Sequence, residues 1–574
     1  MRMLTARRTT LALVLLGTAA CKGDPVVPPQ VACEPDAAGS VALQMPVGSV
    51  QVLSGNEAVG CARLQGDLVA SNYIAIAANA ATGSDVDVAY RFVATRGTAA
   101  ATAAALDVAG VRASMTSGAP SAALAVHDRL RLRERALRQL HPDAPLASAP
   151  AARTGAVRGA IFTGTPVVGQ VVTINAPGLG ANDSPCDDFS ALRGRVMYIS
   201  QKAIIVQDTT SPANGFTTTD FQSIGAEFDD LIWRTDTTYF GNPSDSDVNT
   251  RIVVFYTPYV NKATPRNSGS ILAGFFWAGD LFPRGECAQS NQGELFYLLV
   301  PDPTGTFSSA RQVSDVRERT RGTVAHEFEH MINAGVRIRT GASALEEVWL
   351  DEALAHFAEE MVGRAKLGAT DREELTHARV FDSANNLRDY NAFFYQNLAR
   401  FDYWLDAPGK TSPTSEAADS SLAVRGAAWA LLRHAADHYA GSSIPLFTRR
   451  LVTGPQTGVS NIQARTNVPF DQIMSRWLVA NYADNLGIPN LAATYTYPSW
   501  NMRDAVSGAV RTAYPLKLTT IAASGTESGT VRSGSGWYYQ IPLAAGAPRM
   551  SLSLQNSFGR AGFPNARLIL LRQQ

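Results

Sequence analysis

The chain has 574 residues, which exceeds a single domain and predicts about two to four. Fifty basic and fifty acidic side chains cancel to a formal net charge of zero, so nothing suggests a nucleic-acid partner. Only 17% of residues are charged against 45% hydrophobic, enough for a sizeable core, and the many Ala, Gly, Ser and Thr suit a secreted protein.

The first twenty residues predict an export signal. Arg2, Arg7 and Arg8 precede a short apolar run, 10–17, too short to span a membrane as a stable helix. Small residues Thr18, Ala19 and Ala20 then lead to Cys21. A Cys at that place resembles a bacterial lipobox, although Thr18 stands where Leu is usual. Cys21 is therefore expected to carry lipid and anchor the protein to the cell envelope, with the polar residues 21–30 as a tether. A plain signal peptide with an incidental Cys, giving a secreted protein, is the alternative. The other four cysteines form an even set in an exported chain. Of the three pairings, Cys33–Cys61 and Cys186–Cys287 keep each disulfide within one domain. No C-x-x-C spacing points to a cysteine zinc site.

Short strands between turn residues, at 48–53, 73–77 and 86–92, predict a sandwich-like β domain over 31–98. Residues 99–157 are low-complexity and predict a linker, with a basic helix at His127–Leu140. That helix reads as a solvated connector rather than a membrane-surface element. The linker could also be a propeptide junction, though no cleavage signal establishes one. From 158 to 312 strands at 196–199, 203–206, 252–256 and 295–300 surround one amphipathic helix, Phe221–Tyr239. Asp245-Ser246-Asp247-Val248-Asn249 imitates the start of a calcium loop but lacks Gly at position six and Glu at twelve, which excludes an EF-hand. A looser calcium site is the lesser reading of that cluster. Residues 313–490 are mainly helical, including Ala423–Tyr439. Strands return at 516–521, 536–541, 550–554 and 568–571, predicting a second small β domain over 510–574.

The chemistry is concentrated at His326-Glu327-Phe328-Glu329-His330. On a helix His326 and His330 project from one face about a turn apart and can take one Zn²⁺, with Glu327 placed to act on a water. Val324, Phe328, Met331 and Ile332 form an apolar stripe that packs this helix; a solvated surface helix is the alternative. Asn333 and Gly335 predict its end, with Gly335 as the C-cap. A third ligand is needed. The His six residues after His330 that a metzincin uses is replaced by Val336, which leaves a distant His or a Glu from a second helix. Ser343-Ala344-Leu345-Glu346 predicts a capping box that starts such a helix. Along it Trp349, Ala353 and Phe357 form an apolar row, while Glu352, His356 and Glu359 or Glu360 lie on another face. Glu346 and Glu347 are the fallback carboxylates.

The pairing of His-Glu-Phe-Glu-His-Met-Ile-Asn at 326–333 with Glu-Val-Trp-Leu-Asp-Glu-Ala-Leu-Ala-His-Phe-Ala-Glu at 347–359 resembles the gluzincin metallopeptidases. Within them it is most similar to the hyicolysin-like family. The likeness covers about residues 160–490 and is strong over 322–362, with Asp351 for the usual Asn and Ala353 for the usual Gly. It implies His326, His330 and Glu352 as zinc ligands and Glu327 as general base. Glu359 is the implied supporter of the ligands, with His356 the other candidate. It also implies an α+β chain: a zincin-like catalytic domain over 158–500, with mixed sheet, active-site helix and helical subdomain, flanked by small all-β domains. The family tends to carry Tyr-Gly where Arg425-Gly426 stands, so a transition-state donor is sought among Arg425, His434, His438 and Tyr439. The expected function is an exported, lipid-anchored zinc endopeptidase acting on peptide or protein substrates. The alternative is a non-enzymatic surface protein with a structural metal, its β domains binding polymer or protein. An intact Glu327 argues against that alternative, and no Gly-x-Met-Glu-Asn motif supports an aminopeptidase.

Overall fold

The computed structural model describes residues 33–37, 41–82, 86–97, 122–146, 161–162, 164–268, 270–416, 421–510 and 513–574. The predicted signal, Cys21, the tether and much of the 99–157 linker lie outside the described residues.

The protein is mixed α and β. Fifteen strands among the described residues form three sheets. Four come from residues 50–96: β1 (Val50–Ser54), β2 (Ala62–Leu64), β3 (Ser71–Asn79) and β4 (Asp87–Arg96). Six build the central sheet: β5 (Val171–Pro177), β6 (Phe189–Ile199), β7 (Ala203–Asp208), β8 (Ile252–Tyr256), β9 (Gly274–Phe276) and β10 (Leu295–Leu298). The last five are β11 (Thr519–Thr520), β12 (Gly525–Arg532), β13 (Ser535–Leu543), β14 (Met550–Asn556) and β15 (Ala566–Arg572).

The central sheet runs β5-β6-β7-β8-β10-β9. β7, β8 and β10 run parallel to one another, and every residue of β8 and β10 is buried. That burial explains their unbroken apolar runs, because a parallel strand is covered on both faces. β9 pairs antiparallel with β10 and forms the edge.

The two β domains expected at the chain's ends are one sandwich. One sheet runs β1-β15-β3-β13-β11 and the other β12-β4-β14-β2, so each interleaves strands from both ends of the chain. Alternation explains the merger. Tyr73, Ala75 and Ala77 of β3 face the sandwich interior with Leu568 and Leu570, whereas Ile74, Ile76 and Ala78 join the core of the rest of the molecule. β3 thus has two apolar faces, and both strands that flank it, β13 and β15, come from the far end of the chain. The Cys33–Cys61 and Cys186–Cys287 disulfides both form, with Cα separations of 5.2 and 4.7 Å.

Four helices shape the site: α1 (Ala122–Leu140), α2 (Val313–Arg339), α3 (Val348–Leu367) and α4 (Leu422–Tyr439). The predicted amphipathic helix spans 218–240, capped by Thr217 and Asp220, with a π turn at Phe228–Ile232. α2 does not stop at Gly335; it continues to Arg339, and Gly341 takes the left-handed turn at φ 74°. Gly335 serves close approach instead, since a Cβ there would come within 2.8 Å of Ser244 Oγ. The predicted capping box at 343–346 is not made either. α3 begins at Val348, and Glu346 is buried against Arg337, accepting from Gly458 N at 2.6 Å and Asn461 Nδ2 at 2.8 Å. A buried guanidinium outcompetes a local cap for that carboxylate. Among the described residues no helix is long and apolar enough to cross a membrane.

Candidate metal centre

α2 carries His326, Glu327 and His330 on the face it turns to α3, and α3 carries Glu352 toward them. His326 Nε2 lies 3.1 Å from His330 Nε2 and 3.4 Å from Glu352 Oε2. Two donors about 2.0–2.1 Å from a tetrahedral zinc would stand about 3.3 Å apart. All three residues are at least 95% buried. Neither Glu352 oxygen makes a hydrogen bond, although nitrogens of His127, His326 and Arg425 stand at 2.9, 3.4 and 2.9 Å. Ring nitrogens converging on a buried carboxylate suit a shared cation, so the donor set fits a metal ion.

The other ring nitrogen of each motif histidine meets a carboxylate. His326 Nδ1 is 2.8 Å from Glu359 Oε1, and His330 Nδ1 is 3.0 Å from Asp351 Oδ2. Such partners fix ring orientation and raise ligand basicity. Asn333, expected at a helix end, instead donates to Asp351 Oδ1 at 3.1 Å. Glu359 also meets His356 Nδ1 at 3.0 Å, and Arg400 Nη1 is 3.0 Å from His356 Nε2. His356 therefore supports the group from behind.

Glu327 accepts from Phe276 N at 2.8 Å, and its other oxygen is 3.4 Å from His127 Nε2. Burial would raise its pKa, but His127, His326 and His330 outweigh that and hold the carboxyl well below the usual range. Burial alone would lower His326; the carboxylates of Glu352 and Glu359 push it up to about 9. His330 lies well below its ordinary value through burial, Arg131 and His326.

Two features were not expected. The distant His that the sequence left open exists, in addition to Glu352: a ring nitrogen of His127 on α1 joins His326, His330 and Glu352, with all four donor atoms within 4.8 Å of one another. And α1 is not a solvated connector, for His127, Arg131, Glu134 and Arg138 are all buried. The available signal was the spacing of His127, Arg131, Glu134 and Arg138, which places four ionisable groups on one helical face.

Of the donor candidates, Arg425 reaches the group: Nη1 is 2.9 Å from Glu352 Oε2 and Nη2 donates to Asp128 Oδ1 at 2.6 Å. His434 and His438 meet the carbonyls of Thr494 and Thr496 at 3.0 and 2.9 Å, and Tyr439 accepts from Arg476 at 3.0 Å. His434 lies nine residues beyond Arg425, about 13 Å along the helix, so these three are not brought to the group. Glu346 and Glu347 stay apart as well; Glu347 accepts from Trp349 Nε1 at 2.9 Å. Asp245, Asp247 and Glu294 do cluster, but Glu294 accepts from Ser246 N at 3.0 Å. A cleft of about 500 Å³ opens beside the group, lined by Gly274 of β9, His326, Glu327, Tyr395 and Arg425.

The site is a buried His/Glu group able to hold a single metal ion. Over 141 residues the chain is 31% identical to the neutral metalloprotease ShpI of Staphylococcus hyicus, which covers 24% of this chain and 30% of that protein. The chain thus matches less than a third of the length of this relative. No family model matches.

Proposed function

We propose that this protein is a zinc metalloendopeptidase of gluzincin type with a zincin-like catalytic region, exported and anchored through lipid on Cys21. The observation that carries the proposal is the convergence of His326 Nε2, His330 Nε2 and Glu352 beside a Glu327 that is itself no ligand. The likeness to a neutral metalloprotease supports it. His326, His330 and Glu352 would hold the ion, which when bound supplies a Lewis acid for a peptide carbonyl and a water. Glu327 takes the proton of the attacking water on the oxygen not bonded to Phe276 N, then delivers it to the leaving amine. Arg425 is the cation placed to stabilise developing negative charge on the substrate oxygen. Export and the anchor rest on the sequence of the first thirty residues. The test is metal analysis of the full chain, with about one zinc per chain expected, together with hydrolysis of an unstructured protein at equal zinc content with and without Glu327. Zinc bound without any Glu327-dependent hydrolysis, in the wild-type chain and with His127→Ala alike, rejects the reading.

One observation favours a second reading. His127 gives the group four protein donors, and a closed set of four is the pattern of structural zinc. A non-enzymatic surface protein would use such a site, but it would have no role for Glu327.

A further inference from the structure

α1 meets the metal centre with four polar side chains from two successive turns: His127, Asp128, Arg131 and Glu134. Each takes up a group that peptide hydrolysis needs. The His127 ring stands with Nε2 3.4 Å from Glu327 Oε1 and Nδ1 2.9 Å from Glu352 Oε1. It therefore fills the space between base and ligands where the attacking water has to stand. Asp128 accepts from Arg425 at 2.6 Å and so engages the oxyanion donor. Arg131 Nη2 donates to Phe276 O, and Glu134 Oε1 accepts from Ala278 N at 2.6 Å.

The first of those two contacts lies on the sheet edge and the second just past it, at the turn after β9. β9 pairs with β10 on one side only, and the N–H and C=O of Phe276 point to the other side, toward Glu327 and Arg131. An unpaired edge beside a cleft is where an extended chain can add as a strand. α1 covers it with a buried guanidinium and a buried carboxyl. Burying ionisable groups is unfavourable unless they are paired. Arg131 and Glu134 pair with each other at 3.0 Å and reach backbone groups of Phe276 and Ala278, while His127 pairs with Glu327 and Glu352 of the site. A connector helix would keep its charges in water. His127, Arg131 and Glu134 are 5%, 2% and 3% exposed.

We infer that α1 is a built-in inhibitory segment, with His127 the closing metal ligand that keeps the site latent until α1 is displaced or excised. The inference rests on the peptidase reading of the site. Departure of α1 would vacate the place beside Glu327 for water, release Arg425 from Asp128, and expose the β9 edge to substrate in one step.

X-ray absorption on the zinc-loaded wild-type chain counts imidazoles at the metal. Three are expected, falling to two in His127→Ala. Hydrolysis of an unstructured protein at equal zinc content is the second readout. Activity scales with the fraction of chains whose site is open, so a rise of roughly tenfold or more is expected in His127→Ala. The Arg131→Ala/Glu134→Ala double variant should rise as well through contacts away from the metal. Two imidazoles in the wild-type chain overturn the inference, and that measurement does not depend on any variant folding. Wild-type turnover equal to that of both variants also overturns it, while leaving the peptidase reading intact. Failure of the peptidase reading looks different. Three imidazoles are counted, zinc is bound, and neither wild type nor variants hydrolyse substrate; His127 is then a structural ligand and inhibition falls with the activity.

Discussion

His326 Nδ1 and Glu359 Oε1 stand 2.8 Å apart on neighbouring helices, so the ring that faces the metal position is steered by a carboxylate one turn beyond His356. Glu359→Gln keeps the size of the side chain but removes its charge. Zinc affinity is expected to fall about 10–100-fold. Competition with a chelator of known affinity measures this, and unchanged affinity would show that Glu359 does not support His326.

Glu327→Gln should leave zinc content and fold unchanged, because Glu327 is not a ligand and the amide oxygen can still accept from Phe276 N. Turnover of an unstructured protein is expected to fall about 10²–10⁴-fold. The comparison is made at equal zinc occupancy, in the wild-type chain and again with His127→Ala present. Equal rates with and without the Glu327 carboxylate would sink the proposed mechanism.

The Cys186–Cys287 bond joins residues 101 apart, and Cys33–Cys61 joins residues 28 apart. Loop-closure entropy makes the longer bridge worth about 4–5 kcal/mol and the shorter about 3–4 kcal/mol. Replacing each pair with Ala should lower unfolding free energy in that order, read by denaturant titration under oxidising conditions. The reverse order would mean that strain or residual structure outweighs loop length.

Asp484 is buried and accepts from Tyr497 N at 2.8 Å and Met502 N at 2.9 Å. Burial pushes its carboxyl up to about 7, against an ordinary value of 3.8. Between those values the folded chain keeps a proton that the unfolded chain has released, so this group's contribution to stability falls as pH rises through the window and is level above it. Asp484→Asn removes the titration. Its unfolding free energy from urea titration should gain on wild type between pH 4 and pH 8, by roughly 1 kcal/mol or more. A difference independent of pH would show that Asp484 does not titrate there.

The sequence was most legible where one helix carries the pattern. The spacing of His326 and His330 requires only a helix to place both rings together, and Glu352 is singled out by the resemblance that Trp349-Leu350-Asp351-Glu352 carries. The cysteine pairing followed from an even count and domain proximity. Local patterns failed where a distant partner decided the outcome. Gly335 looked like a stop, yet Ser244 needed the space above it. Glu346 looked like a cap residue, yet Arg337 lay within reach. The basic helix at 127–140 looked solvated because its partners, Phe276, Ala278, Glu352 and Arg425, are scattered over three later elements and the loop after β9. The strands at 50–96 and 519–572 looked like two domains because strand pairing over such distances leaves no local trace.

β15 lies between β1 and β3, and among the described residues no other strand pairs with both of them. The ribosome makes Asn79, the end of β3, 487 residues before it makes Ala566, the start of β15 (566 − 79). At about 5–20 residues per second that is some 25–100 s of synthesis. Until β13 is made the nascent chain carries β3 with both flanks unpaired, and the flank that β15 fills stays open to the end. A chaperone that binds such a strand would have to hold the first hundred residues until the last ten arrive.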